Sequence, residues 1–88
     1  MDISFDINKD TANFQKHGIS LAAAAMLEWN EALTWTDERN NYGETRMCAI
    51  GYIGNRLHYV AYVDREEVRR IISLRKANSR EEKRYAET

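Results

Sequence analysis

The chain has 88 residues with a formal net charge of −1; 43% of the residues are hydrophobic and 31% are charged. A chain of this size forms one hydrophobic core, so we expect a single domain over residues 1–88 and exclude a second catalytic domain. The single cysteine, Cys48, excludes an internal disulfide and a cysteine metal cage. With no signal peptide and no apolar run of about 18 residues, the sequence predicts a cytoplasmic protein without membrane association.

The first third of the sequence predicts a short strand followed by two helices. Residues 1–5 are compatible with the strand. Asn8 offers an N-cap for the first helix, which ends at Gly18. Ser20 offers the N-cap of a second helix over residues 21–29.

The middle of the chain predicts a strand, a polar loop and three apolar runs, which are residues 32–36, 37–45, 46–53, 56–63 and 68–74. Gly54 and Asn55 separate the first two apolar runs and are typical of a two-residue hairpin turn, which fixes the register of those strands. A four-residue link then predicts that His58 lies opposite Ser73. The runs therefore form an antiparallel meander of three or four strands.

A closing helix is predicted to begin at Ser79, because Glu82 three residues later completes a capping-box pattern. It runs to about Ala86. Together these elements predict an α+β domain with helices packed on one face of the sheet.

Charge is segregated along the chain. Residues 65–88 hold eight Lys or Arg against five Glu and carry +3, whereas residues 1–64 hold five basic and nine acidic residues and carry −4. A localised cationic surface favours a polyanionic ligand, since clustered positive charges attract phosphate groups.

Period-two alternation along the last strand places Arg70 on the apolar face, and Ser73 and Arg75 on the opposite face. An arginine beside a core is either paired or holds an anion, and the sequence favours neither alternative for Arg70. Arg75 is the stronger candidate for function, because it lies at the end of the strand beside a loop. The two arginines can serve one phosphate only if a bulge or a strand end intervenes, and nothing in the sequence indicates a bulge.

His17 follows Lys16 at the end of the first helix, where an imidazolium either caps the helix or acts as a general acid or base near neutral pH. Glu44 in the polar loop and His58 on the meander are further candidate proton carriers. A loop glutamate is usually solvated, however, and a strand histidine is usually packed.

A metal site has little support in the sequence. The two histidines are far apart, and the carboxylates of Asp37, Glu38 and Glu44 are expected to face water. We therefore expect neither a metal nor another cofactor. The last cations form a solvated helix face: Lys76, Arg80, Lys83 and Arg84.

Three motifs, in this order and spacing, resemble the BrnT toxins: Lys16-His17-Gly18, Gly43-Glu44-Thr45-Arg46 and Arg70-Ile71-Ile72-Ser73-Leu74-Arg75-Lys76-Ala77. With Asp37-Glu38-Arg39, Glu82 and Tyr85, the resemblance covers nearly the whole chain. This chain is less basic than is usual in the family, which weakens the expectation of non-specific RNA affinity.

The resemblance implies a bacterial type II toxin that halts translation by degrading RNA, with a fold related to RelE and no need for a metal. It also implies a BrnA-type antitoxin with a ribbon-helix-helix part. Toxin and antitoxin would form a hetero-oligomer that silences the toxin and represses its own operon. The toxin would then contact operator DNA only through the antitoxin.

Two hypotheses of different classes follow. In the first, the chain is a metal-independent endoribonuclease whose catalytic residues are His17, Glu44, Arg70 and Arg75, with RNA bound by Lys16, Arg46, Ser73, Lys76 and Tyr85. The arginines hold the scissile phosphate, His17 and Glu44 move protons, and Tyr42 or Tyr85 stacks on a base. In the second, the chain is a non-catalytic module whose basic C-terminal segment docks an acidic partner.

Overall fold

The computed structural model describes residues 1–39 and 43–88, which contain five strands and two α-helices in an α+β arrangement. The elements are β1 (Asp2–Ser4), α1 (Ile7–His17), β2 (Leu33–Thr36), β3 (Met47–Ile53), β4 (Arg56–Arg65), β5 (Val68–Lys76) and α2 (Ser79–Ala86). The sheet order is β1-β5-β4-β3-β2. Strands β2 to β5 form the predicted antiparallel meander, and β1 adds a parallel strand at the edge beside β5. No helix in the described part of the chain is long and apolar enough to cross a bilayer.

Helix α1 begins two residues earlier than predicted. Its N-cap is Asp6, whose carboxylate accepts a hydrogen bond from the backbone N–H of Asn8 at 3.0 Å. Asp and Asn are nearly equivalent N-caps, so the sequence did not distinguish between them. The predicted end is confirmed, because Gly18 adopts the left-handed conformation with a φ of 73°.

The predicted second α-helix is instead a pair of 3-10 helices, Leu21–Met26 and Trp29–Glu31. Ser20 caps the first one as predicted, with its hydroxyl accepting from the N–H of Ala22. The buried residues of this segment are Leu21, Ala24 and Leu27. They are spaced three apart, and this period matches the three residues per turn of a 3-10 helix. Packing of this stripe on the sheet outweighs the α-helical propensity of the alanines.

The first predicted hairpin register is confirmed, with Gly51 opposite His58 across the Gly-Asn turn. The second register is wrong by several residues, since His58 lies opposite Lys76 instead of Ser73. Strand β4 continues to Arg65, and the link to β5 is therefore a two-residue turn and not a four-residue loop.

A β-bulge interrupts the pairing of β4 with β5. Ala61 lies opposite Ser73, whereas the next residue of β4, Tyr62, lies opposite Ile71. Ile72 is therefore the extra residue on β5. A bulge of this kind reverses the alternation of side chains along the strand on one side of the extra residue.

The bulge changes which face of the sheet the β5 side chains occupy. Residues directly opposite each other in a sheet project to the same face. Arg70 pairs with Val63, Ser73 with Ala61, and Arg75 with Tyr59. These three β4 residues are spaced two apart along the strand, so their side chains project to one face. Arg70, Ser73 and Arg75 therefore share that face. The prediction that Arg70 and Arg75 lie on opposite faces is therefore wrong.

The two faces of the sheet carry separate apolar clusters. The larger cluster packs beneath the first 3-10 helix and consists of Leu21, Ala24, Leu27, Ala49, Val60, Tyr62, Ile71 and Leu74. The smaller cluster lies beneath α2 and centres on Ile50, Leu57 and Ala77. Helices thus pack against both faces, and not against one as expected. The face that carries Arg75 is the one with the smaller cluster.

Asn13 of α1 holds the outer edge of β5 beyond the end of β1. Its side-chain amide donates to the carbonyl oxygen of Leu74 at 2.8 Å, and its side-chain oxygen accepts from the N–H of the same residue at 3.2 Å. The amide also donates to the carbonyl oxygen of Ile19. One buried side chain therefore replaces a neighbouring strand and fixes α1 beside the end of β5.

Candidate functional site

Arg75 is the best-positioned cation of the predicted site. Its Nη1 and Nη2 atoms donate to the two carboxylate oxygens of Glu81, each at 2.8 Å, and Nη1 also donates to the carbonyl oxygen of Lys76. Its Cζ atom lies 4.3 Å from the centre of the Tyr59 ring. The side chain is 30% exposed. The hydrogen bonds from Arg75 to Glu81 raise the pKa of the guanidinium, which therefore stays charged.

The ion pair with Glu81 leaves one edge of the Arg75 guanidinium open. A guanidinium has five N–H donors, and the bonds above use three of them. The Nε–H and the second Nη2–H lie along the remaining edge and make no hydrogen bond within residues 1–39 and 43–88. Two parallel donors of this kind suit two oxygens of one phosphate. The pair is neutral overall, but it presents a preoriented anion-binding edge.

Glu81 is held in place by the first turn of α2. Asn78 is the N-cap of this helix, and its side chain accepts from the N–H of Glu81 while the Glu81 carboxylate accepts from the N–H of Asn78, both at 2.9 Å. This capping box lies one residue before the predicted pair, Ser79 and Glu82, because Asn and Ser are both good N-caps. Burial raises the pKa of Glu81, but the hydrogen bonds from Arg75 and Asn78 bring it below its ordinary value.

His17 and Ser73 line a shallow depression of about 210 Å³ beside the bulge, together with Lys16 and Ile72. Loss of solvent contact, followed by the charges of Lys16 and Arg75, lowers the pKa of His17 below 6.5. The imidazole is therefore neutral at pH 7 and able to accept a proton. The structure thus brings together His17, Lys16 and Ser73 at the outer end of β5, where the charge of Arg75 also acts on His17.

Arg70 lies farther along β5 on the same face as Arg75, and Glu44 precedes β3. The Glu44 carboxylate accepts two hydrogen bonds from Arg65, at 2.8 and 2.6 Å, and these bonds lower its pKa. Arg70 is half-buried, and its charge also lowers the pKa of Glu44. In the described part of the chain Arg70 has no ion pair. The described residues therefore do not support the alternative in which Arg70 forms an internal salt bridge.

Other predicted residues have internal roles or lie at the margin of the site. The Tyr85 hydroxyl donates to the carbonyl oxygen of Glu31 at 3.0 Å, and its ring packs edge-on against Tyr52. Lys76 is exposed at the end of β5. Arg46 is half-buried just before β3. Tyr42 lies outside the described residues.

His58 is buried, and its Nδ1 atom lies 2.9 Å from the carbonyl oxygen of Arg56, to which it donates. Burial lowers the pKa of His58, so the ring is a neutral, packed side chain. Its partner in the sheet, Lys76, places it on the face opposite to Arg75. The packed alternative for His58 is therefore the one that the fold supports.

Sequence reasoning missed Glu81 and Tyr59, the two partners of Arg75. Glu81 is six residues from Arg75 in the chain, and only the cap of α2 brings it back to the strand. Tyr59 could have been found from the meander, but only with the correct register of β4 and β5. Within the described residues, no group of three or more His, Cys, Asp or Glu is arranged to hold a metal ion.

The fold and the site define a small α+β protein with a partly exposed arginine and a neutral imidazole at one end of β5. The family described as the ribonuclease toxin BrnT of type II toxin–antitoxin systems matches residues 5–81, and the chain belongs to this family. The resemblance found in the sequence motifs is thereby confirmed. A comparison with curated proteins gave no match.

Proposed function

We propose that this protein is a metal-independent endoribonuclease of a single domain that acts in the cytoplasm and stops translation by degrading RNA. A BrnA-type antitoxin with a ribbon-helix-helix part would neutralise it in a hetero-oligomer and contact operator DNA. We further propose that the fold is related to RelE. Membership of the toxin family and the open edge of Arg75 support the proposal.

Arg75 is the proposed centre of the active site. Its open Nε and Nη2 edge binds two non-bridging oxygens of the scissile phosphate, while Glu81 and Tyr59 keep the guanidinium plane fixed. Preoriented donors stabilise the charge that develops on those oxygens in the transition state, because the enzyme does not have to reorganise them. The preorganised edge is the observation on which the proposal depends.

His17 is the proposed general base. Its lowered pKa leaves it neutral at pH 7, so it takes the proton of the ribose 2′-hydroxyl as that oxygen attacks phosphorus. The bond from phosphorus to the 5′ oxygen breaks, the 5′ oxygen takes a proton from water, and a 2′,3′-cyclic phosphate forms. We assign proton transfer to His17 ahead of Glu44, because Arg65 engages both carboxylate oxygens of Glu44.

The other cations are proposed to bind the RNA backbone on either side. Across the bulge, the β4 partners of Arg75 and Arg70 are four residues apart, so the two Cα atoms are roughly 13 Å apart at about 3.3 Å per residue. Glu81 and Tyr59 hold the Arg75 guanidinium at its own end of the strand, so Arg70 is assigned to a neighbouring phosphate. Lys16, Arg46, Ser73 and Lys76 are assigned to the same track. Tyr85 is the least favoured RNA contact, since its hydroxyl is bonded to Glu31.

The test uses purified protein freed of its partner, incubated with RNA in the presence of EDTA. We expect cleavage by the wild type, and at least a 100-fold loss in Arg75→Ala, the scale seen when an oxyanion donor is removed. Lys83→Ala removes an exposed cation from α2 and serves as the matched control with unchanged cleavage. Circular dichroism and antitoxin binding verify that each variant is folded.

Intact RNA at a large excess of wild-type protein would contradict the nuclease proposal. If the same protein still bound its antitoxin through the basic C-terminal segment, the non-catalytic module with an acidic partner would be supported instead.

A further inference from the structure

A cleft borders Arg75 on the side away from His17, and we propose that it binds a guanine nucleotide of the RNA. This inference rests on the proposed nuclease function and extends it to a base-recognition subsite. The cleft encloses about 450 Å³ between the end of β2, the centre of the sheet and α2. That volume lies within the usual range for small-molecule sites, roughly 300–1,000 Å³.

The floor of the cleft consists of two aromatic rings with arginines over them. The rings of Trp35 and Tyr59 have centres 6.3 Å apart and planes inclined by 46°. The Arg84 guanidinium lies 3.9 Å from the centre of the Trp35 ring, as Arg75 does at 4.3 Å over Tyr59. Aromatic faces that bind flat guanidinium groups also bind flat nucleobases, by the same stacking geometry.

The two arginines are not equally fixed. Arg75 is anchored by Glu81, whereas Arg84 is exposed on α2 and has no ion pair among residues 1–39 and 43–88. A base can therefore displace Arg84 from Trp35 without breaking an ion pair. The displaced guanidinium would remain at the rim of the cleft, where it can bind the phosphate of the incoming nucleotide.

The carboxylates around the cleft differ in the same way. Asp37 is paired with Arg39, and Glu81 is paired with Arg75. Glu38 also lines the cleft, is exposed, and makes no hydrogen bond or ion pair with the described residues. It is the carboxylate available to a ligand.

A free carboxylate selects guanine by geometry. Its two oxygens lie side by side and accept two parallel N–H groups, which the Watson–Crick edge of guanine offers at N1 and N2. The corresponding edges of adenine, cytosine and uracil do not offer two adjacent donors. With the ring on Trp35, the edge on Glu38 and the phosphate near Arg84 and Arg75, one guanine nucleotide satisfies the open groups of the cleft.

Nucleotide binding can be measured on the wild-type protein by NMR. The chain has two tryptophans, and each gives one indole N–H resonance. Trp35 lines the cleft, whereas the Trp29 indole donates to the carbonyl oxygen of Ala24 on the opposite side of the sheet. We expect guanosine 5′-monophosphate to shift the Trp35 resonance and not the Trp29 resonance. Adenosine, cytidine and uridine monophosphates should need at least tenfold higher concentrations.

The matched variants are Glu38→Gln and Glu67→Gln, each of which neutralises one exposed glutamate. We expect Glu38→Gln to lose the preference for the guanine nucleotide, and Glu67→Gln, in the β4–β5 turn, to retain it. Equal binding of all four nucleotides by the wild type, or a guanine preference that survives in Glu38→Gln, would overturn the inference.

Mapping of RNA cleavage sites separates this inference from the nuclease proposal. We expect wild-type cleavage next to guanine and a loss of that preference in Glu38→Gln. Cleavage without base preference in both proteins would overturn the guanine-binding inference and leave the nuclease proposal intact. Guanine-selective nucleotide binding by a protein that never cleaves RNA would refute the nuclease proposal and leave the guanine-binding inference intact.

Discussion

Arg69 and Arg75 lie on the same strand but on opposite faces of the sheet, and their surroundings differ in one decisive respect. Arg69 is held between two aromatic rings, with its Cζ atom 4.5 Å from the centre of Trp29 and 4.3 Å from that of Tyr62. Its Nε and Nη2 atoms donate to Asp64 at 2.7 and 3.0 Å. The edge that suits a phosphate is thus already occupied by a carboxylate.

The hydrogen bonds of Arg75 leave free the edge that Arg69 uses for its carboxylate. One ring, Tyr59, covers one side of its guanidinium, and Glu81 binds the Nη1 and Nη2 end. The Nε and Nη2 edge is left for a ligand. An internal ion pair therefore does not by itself exclude an arginine from function, since what matters is which N–H groups the pair uses.

The largest expected effect comes from exchanging these two arginines for alanine. Arg75→Ala should abolish RNA cleavage and leave the protein folded, because its loss removes the phosphate-binding edge. Arg69→Ala should lower the free energy of unfolding by about 1–3 kcal/mol, since it leaves Asp64 without its partner and removes two ring contacts.

Cleavage assays below the melting temperature of each variant, together with urea unfolding, measure both effects. The comparison fails if Arg69→Ala loses cleavage as severely as Arg75→Ala while it is still folded.

The next largest effect concerns Asn13, which holds the part of β5 that carries Arg75. Asn13→Ala removes the partner of both backbone groups of Leu74 and of the Ile19 carbonyl. An unpaired buried polar group costs about 1–3 kcal/mol, so the two buried groups of Leu74 alone give an expected loss of about 2–6 kcal/mol in the free energy of unfolding. Gln15→Ala, at an exposed position of α1, should change it by less than about 0.5 kcal/mol. Chemical denaturation of both variants decides between these outcomes.

The two histidines predict how stability and activity depend on pH, and His58 concerns stability. The folded protein has a lowered pKa at buried His58, so the unfolded chain binds more protons when the pH is below 6.5. The stability contribution is therefore complete above pH 6.5 and is lost as the pH falls below it. We expect the melting temperature to drop between pH 7 and 5, and less steeply in His58→Gln. An equal drop in wild type and variant would contradict this assignment.

For His17 the predicted effect of pH is on activity. Because its pKa lies below 6.5, cleavage at limiting RNA should fall to half of its plateau value only at a pH below 6.5. His17→Ala should lose this acidic limb. A limb that persists unchanged in the variant would assign the proton transfer to another group.

The sequence predicted those parts of the fold that local chemistry determines. The β3–β4 register followed from a glycine-asparagine turn that has few alternatives. The β4–β5 register did not, because the turn residues are two glutamates and Glu66 adopts a φ of 56°, which is unusual for its type. Nothing in the residues around Ile72 indicates a bulge, since isoleucine fits equally well in a regular strand.

The same limit applies to the candidate site. Arg75, His17 and Lys16 were predicted from charge and position, and the structure places them near one end of β5. The partners that orient Arg75 were not found, because Glu81 reaches it only through the cap of the following helix. Whether Arg70 and Arg75 share a face depended on one extra residue in the strand, which only the three-dimensional register reveals.

The most direct test of the account follows the arginine side chains themselves. An RNA oligonucleotide with 2′-O-methyl groups lacks the nucleophile but retains its phosphates, so it binds without being cleaved. In ¹⁵N NMR spectra we expect it to shift the Nε–H resonance of Arg75 and to leave that of Arg69 unchanged. An unchanged Arg75 resonance at saturating RNA would contradict the claim that its open edge holds phosphate.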